Sequence, residues 1–95
     1  MDWRLSETAG RDLEDIAAYI ARDNPRAAEA WIDRLLERVE QACLQPRGGQ
    51  MIPEFKHPDI REVFLRSYRI IYLIEPESLY VFRIVEGHRR LRSLE

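Results

Sequence analysis

The chain has a single cysteine, Cys43, in 95 residues. No internal disulfide is open to it, and no metal site built on paired thiolates. No apolar run comes near the roughly 20 residues of a membrane-spanning helix. The opening Met1-Asp-Trp-Arg-Leu-Ser lacks the basic-then-apolar order of a signal peptide. These absences set the expectation of a cytoplasmic protein with no membrane partner. A cationic excess is missing too: 15 Lys and Arg stand against 17 Asp and Glu, a net charge of −2. Proteins that grip nucleic acid draw much of their affinity from phosphate neutralisation and are usually basic, so direct nucleic-acid binding is not expected. The Gly48-Gly49 pair follows a helical pattern instead of opening one, so no phosphate-cradling loop is present. No His and carboxylate set stands at metal-ligand spacing, and neither metal nor cofactor is expected. Cys43 lies in an apolar helical stripe and Ser67 in a turn, so no Ser-His-Asp or Cys-His nucleophile assembles.

What is present fits one small α+β domain over residues 1–95. Hydrophobic residues make up 45% of the chain and charged residues 34%, enough for a thin core and too apolar for a disordered segment. The charge is uneven. Residues 1–50 carry seven Arg against ten Asp and Glu, whereas residues 51–95 carry eight Lys and Arg against seven acids. Arg89, Arg90 and Arg92 make a small basic end.

The stretch from Arg61 to Val85 is rich in β-branched and aromatic residues and is broken at Arg66-Ser67 and at Glu75-Pro-Glu-Ser78. It predicts an antiparallel meander over 60–66, 68–74 and 79–86. The middle segment is apolar at nearly every position, as in a strand covered on both faces. Ahead of it, Trp3-Arg4-Leu5 predicts a short edge strand over 2–5. Ser6 is an N-cap candidate, and Ala9, Leu13, Ile16, Ala17 and Ile20 recur at helical spacing, predicting a helix over 7–22 with Arg11, Asp12, Glu14 and Asp15 on its solvent face. Asn24-Pro25 restarts a second helix over 25–44, and the short link makes the two an antiparallel α-hairpin. Residues 45–59 hold three prolines and two glycines. They read as a loop with no regular element, pinned by Met51, Ile52 and Phe55.

In order along the chain stand Leu5-Ser6, then Ala9-x-x-Asp12-Leu13-x-x-Ile16-x-x-Tyr19-Ile20, Asn24-Pro25, Ala27-Ala28, Leu44-x-Pro46-x-x-Gly49, Ile60-Arg61, Tyr68-Arg69-Ile70-Ile71-Tyr72 and Val85-x-Gly87-His88-Arg89-Arg90. With these residues in this order the chain resembles the RelE/ParE superfamily of toxins from type II toxin–antitoxin pairs, and most closely its ParE branch. The resemblance implies a small toxin neutralised by a ParD-like antitoxin. For the ParE branch it implies DNA gyrase as the target, inhibited by stoichiometric binding. For the RelE branch it implies ribosome-dependent cleavage of messenger RNA. A third reading is a binding module of the same fold that has lost toxicity.

Metal-free RNA cleavage needs a base, an acid and cations around the phosphorane. Lys56, His57, Arg66 and Arg89 are the candidates for such a site, and the reading requires them to share one cleft. No tyrosine follows Val85 to supply the proton-transfer group that the RelE resemblance calls for. The ParE reading assigns target contact to His88, Arg89, Arg90 and Arg92, and antitoxin contact to Trp31, Arg61, Arg69 and Arg83. The plainer reading of Arg61, Arg66, Arg69 and Arg83 is the solvated face of a half-buried sheet, paired with Glu62, Glu75 or helix carboxylates.

Overall fold

The computed structural model describes residues 1–87, so the expected target contacts His88, Arg89, Arg90 and Arg92 lie outside the described residues. In chain order the elements are β1 (Asp2–Leu5), α1 (Glu7–Ala21), α2 (Pro25–Leu44), a 3₁₀ turn (Pro46–Gly48), β2 (Gln50–Met51), β3 (Ile60–Leu65), β4 (Tyr68–Ile74) and β5 (Ser78–Glu86). The helices start where their caps allow. Ser6 Oγ accepts from the Ala9 N–H at 2.9 Å, and Asn24 Oδ1 accepts from the Ala27 N–H at 3.2 Å. Each bond satisfies an amide that the first helical turn would otherwise leave without a partner.

The strands form one five-stranded sheet in the order β1-β5-β4-β3-β2. β3, β4 and β5 are the expected antiparallel meander, with β4 in the centre. The sheet as a whole is mixed, because β1 runs parallel to β5, from Asp2 against Ser78 to Leu5 against Val81. Hairpin turns force antiparallel order along the meander, but nothing local constrains two strands from opposite ends of the fold. A second difference lies between α2 and β3. That stretch holds the 3₁₀ turn and β2, which pairs Gln50 with Glu62 and Met51 with Arg61, despite its prolines and glycines. Met51 is 47% exposed and does not pin the loop, whereas Ile52 is buried and Phe55 half-buried.

The α-hairpin covers one face of the sheet. Leu13 of α1 and Leu35 and Val39 of α2 meet Ile70, Tyr72 and Val81 in the main core. Removing a side chain such as Leu35 from this layer would cost about 2–5 kcal/mol. The opposite face is built differently. Residues 52–59 lay Ile52 and Phe55 over Ile60, Ile71 and Val85. Beside them Glu62 and Arg69 form a buried ion pair, Arg69 Nε to Glu62 Oε1 at 2.8 Å. The pair is not on a solvated surface as the alternating pattern implies, so its energetics are those of a desolvated pair, neutral as a unit but costly to break. The alternation of β5 also shifts. Ile71 faces Arg83 and Tyr72 faces Val81, which leaves Phe82 as the extra residue of a bulge.

Candidate functional site

The residues singled out from the sequence fall at two ends of the sheet. At the loop end, Lys56 is exposed with φ +48°. His57 is exposed, and its Nδ1 accepts from the Asp59 N–H at 3.1 Å. Arg61 is spent on carbonyl oxygens: Pro58 at 2.8 Å, Gly49 at 3.1 Å and Arg47 at 3.3 Å. Arg47 in turn bridges to Asp59 at 2.9 Å. Beneath them the Tyr72 hydroxyl donates to the Pro46 carbonyl at 2.6 Å. Gly49 is required here because a Cβ would overlap that hydroxyl and lie 3.0 Å from the Glu62 carbonyl oxygen.

At the turn end, Leu65 pairs with Tyr68 across the Arg66-Ser67 turn, and exposed Arg66 adopts φ +55°. A non-glycine residue there carries backbone strain of about 1–3 kcal/mol. Tyr68 packs edge-on to Trp31 with ring centroids 5.8 Å apart, and the Arg34 guanidinium lies 5.6 Å from the Trp31 ring. Gly87, at φ +67°, donates its N–H to Ser67 O where β5 ends.

The length of β3, roughly 20 Å for its six residues, separates the two ends. Lys56 and His57 therefore share no cleft with Arg66, and Arg89 lies outside the described residues. The buried phenols do not supply the missing acid. Burial pushes the Tyr68 and Tyr72 pKa values up, with the Glu86 charge adding to the rise at Tyr68 and Arg61 opposing it at Tyr72. Both move away from neutral pH. Among the described residues no group of three His, Cys, Asp or Glu side chains is placed to hold a metal ion, and no helix is long and apolar enough to cross a membrane.

The four residues assigned to antitoxin contact do not form one patch. Trp31 is half-buried against Tyr68, and Arg61 lies at the far end of β3. Arg69 is buried with Glu62. Arg83 folds onto α1, where its Nε and Nη2 donate to Asp12 at 2.8 and 3.1 Å. That hydrogen bond raises the Arg83 pKa further above its ordinary value. Asp12 is the residue that pattern reading misses. Helical spacing assigns it to the solvent face of α1, yet its side chain is only 13% exposed, and it also accepts from the Ile84 N–H at 2.9 Å. The available signal is its position, three residues after buried Ala9 and one before Leu13, at the margin of the apolar stripe. A further surface feature is an open groove of about 590 Å³ between α1 and α2, floored by Ala17, Ala21, Ala28 and Ile32 with Glu29 and Asp33 at its rim.

The family model described as the ParE toxin of the type II toxin–antitoxin system parDE matches residues 3–91. Among solved structures, the chain is similar to one titled as the chromosomal ParDE TA system from P. aeruginosa. The TM-score is 0.75 at 19% identity, over 93% of this chain and 97% of that one. At that identity the likeness shows the shared fold. No curated protein sequence matches significantly.

Proposed function

The chain belongs to the ParE toxin family of type II toxin–antitoxin systems, and from that premise we propose that it inhibits DNA gyrase by stoichiometric binding, without turnover of its own. The observation that carries a binding role over messenger cleavage is the separation of Lys56 and His57 from Arg66 by the full length of β3. A phosphorane needs its cations and its proton-transfer groups within a few ångströms of one another. The target contact is assigned to His88, Arg89, Arg90 and Arg92, which follow β5 in the sequence. The ParD-like antitoxin is assigned to the α-hairpin, where the groove floored by alanines and Ile32 suits an amphipathic helix. Trp31 and Arg61 are the assigned side-chain contacts of an antitoxin that wraps beyond the groove. Arg69 and Arg83 have their guanidiniums on Glu62 and Asp12, and Arg69 is buried, so the antitoxin contact falls to Trp31 and Arg61.

The test sets a gyrase supercoiling and cleavage assay beside a ribosome-programmed messenger cleavage assay, both with the purified chain. Blocked supercoiling or trapped cleaved DNA with intact messenger is the expected result. Cut messenger with unaffected gyrase overturns the proposal.

A further inference from the structure

The two edges of the sheet are finished differently. At one edge β2 is only two residues long and Pro53 follows soon after it. Beyond β2, the outward carbonyl of Phe64 in β3 already accepts from Arg38 Nε at 3.1 Å. Short strands, proline and occupied backbone groups keep an edge from pairing with another chain. At the other edge β1 has no proline and no break in its register with β5. Ser6 donates its N–H to Val81 O at 2.9 Å. Backbone groups alternate sides along a strand, so Asp2 and Arg4 also turn theirs toward β5. Those of Trp3 and Leu5 point out of the sheet, and no described residue pairs with them.

An open edge of this kind accepts one further strand, and the side chains beside it indicate which. Trp3 and Leu5 pack on the main core, which places Asp2 and Arg4 together on the opposite face of the sheet. Asp2 is exposed and has no hydrogen-bond or ion-pair partner among the described residues. Arg4 lies over the Tyr80 ring, 4.0 Å from its centroid, and reaches Glu75 at 3.3 Å, with its side chain still 60% exposed. A strand with an acid and a base two residues apart is complementary to itself when run antiparallel. We propose that β1 is the interface of a homodimer, pairing antiparallel with β1 of a second copy about a two-fold axis at Trp3.

In that register the outward-turned residues meet. Trp3 faces Trp3 of the second copy and exchanges both backbone hydrogen bonds, and Leu5 faces Met1. Asp2 of each copy stands directly opposite Arg4 of the other, so two ion pairs cross the axis. A shift of one residue sets each open amide against a residue whose own is turned to β5. A shift of two sets Arg4 against Arg4 or Asp2 against Asp2. Charge and hydrogen-bond phase therefore select one register. Apolar area lies beside it on the helix side of the sheet. Met1 is 54% and Leu44 82% exposed, and with Trp3 and Cys43 they line an open groove of about 570 Å³.

The test is sedimentation velocity on the purified chain without antitoxin, over a concentration series, with amide exchange read at Trp3 and Arg4. Wild type is expected to dimerise, and its Trp3 amide to gain protection as concentration rises. The Arg4 amide, held by β5, should be protected throughout. Asp2→Arg and Arg4→Asp each turn both crossing pairs into like charges and are expected to weaken the dimer about tenfold. The double variant, Asp2→Arg with Arg4→Asp, restores opposite charges across the axis and is expected to dimerise more tightly than either single variant. Should a variant fail to fold, the wild-type exchange at Trp3 still decides. A chain that stays monomeric at every concentration overturns the inference. So does a dimer that forms without protecting Trp3, that the single variants leave unchanged, or that the double variant does not tighten. Trp3 protection that appears only when antitoxin is added overturns it as well, and gives the edge to an antitoxin strand.

Discussion

At the loop end of the sheet, Lys56 stands exposed while the guanidiniums are engaged with the protein's own oxygen atoms. Arg61 lies on three carbonyl oxygens, Arg47 on Asp59, and His57 caps a turn through the Asp59 N–H. At the turn end, Arg66 stands exposed at a strained φ and, among the described residues, has no hydrogen-bond or ion-pair partner. The same residue type, separated by one strand, is structural mortar in one place and available charge in the other. Composition cannot make that distinction, because it depends on which backbone groups a fold leaves needing a donor. A loop with little regular structure exposes carbonyls that must be satisfied, and arginine, with five donors, satisfies several at once.

The widest separation between the two ends is expected from the residues that continue the chain beyond the turn end. Arg89→Ala together with Arg90→Ala should abolish growth arrest while the protein still co-purifies with its antitoxin. Retained arrest in folded protein would remove the functional half of the contrast. Next in size is Gly49→Ala at the loop end. The new Cβ meets the Tyr72 hydroxyl and the Glu62 carbonyl, and overpacking of this kind costs about 1–3 kcal/mol. For a domain of this size each kcal/mol is worth roughly 4–8 °C in melting temperature, which calorimetry would read directly. A smaller effect of opposite sign is expected from Arg66→Gly. Relief of the positive φ, less the entropy cost of glycine, should stabilise by about 0.5–1 kcal/mol in denaturant unfolding. If arrest weakens while stability rises, the Arg66 guanidinium belongs to the target surface. The smallest effect is expected from Lys56→Ala with His57→Ala, within about 0.5 kcal/mol of wild-type stability and with undiminished arrest. Loss of arrest there would revive the ribonuclease reading.

Much of this fold is legible because its signals are local. Ser6 and Asn24-Pro25 announce helix starts through side-chain chemistry that acts over three residues. The apolar run at Tyr68–Ile74 marks the central strand, since only a strand covered on both faces tolerates it. The parallel pairing of β1 with β5 leaves no such trace, because neither strand's own residues encode a neighbour so distant in the chain. β2 escapes notice because a two-residue strand carries no periodicity to detect. The candidate site is less legible still. Glu62 and Arg69 read as surface charges until the sheet's second face acquires a cover, and Asp12 reads as solvent-facing until β5 arrives beside it. Electrostatic partners are set by tertiary distance, and alternation along one strand contains no information about it.

β5 is the partner of β1, of β4 and of α1 at once. Because loop closure must precede the reward of long-range pairing, β1 has no sheet to join until residue 81 has been synthesised, and Asp12 has no clamp until residue 84. During translation, at about 5–20 residues per second, the helical hairpin can form early, but the sheet that β5 completes cannot. A nascent chain of this architecture therefore reaches its native sheet in one late step, when β5 supplies the strand that β1, β4 and α1 all await.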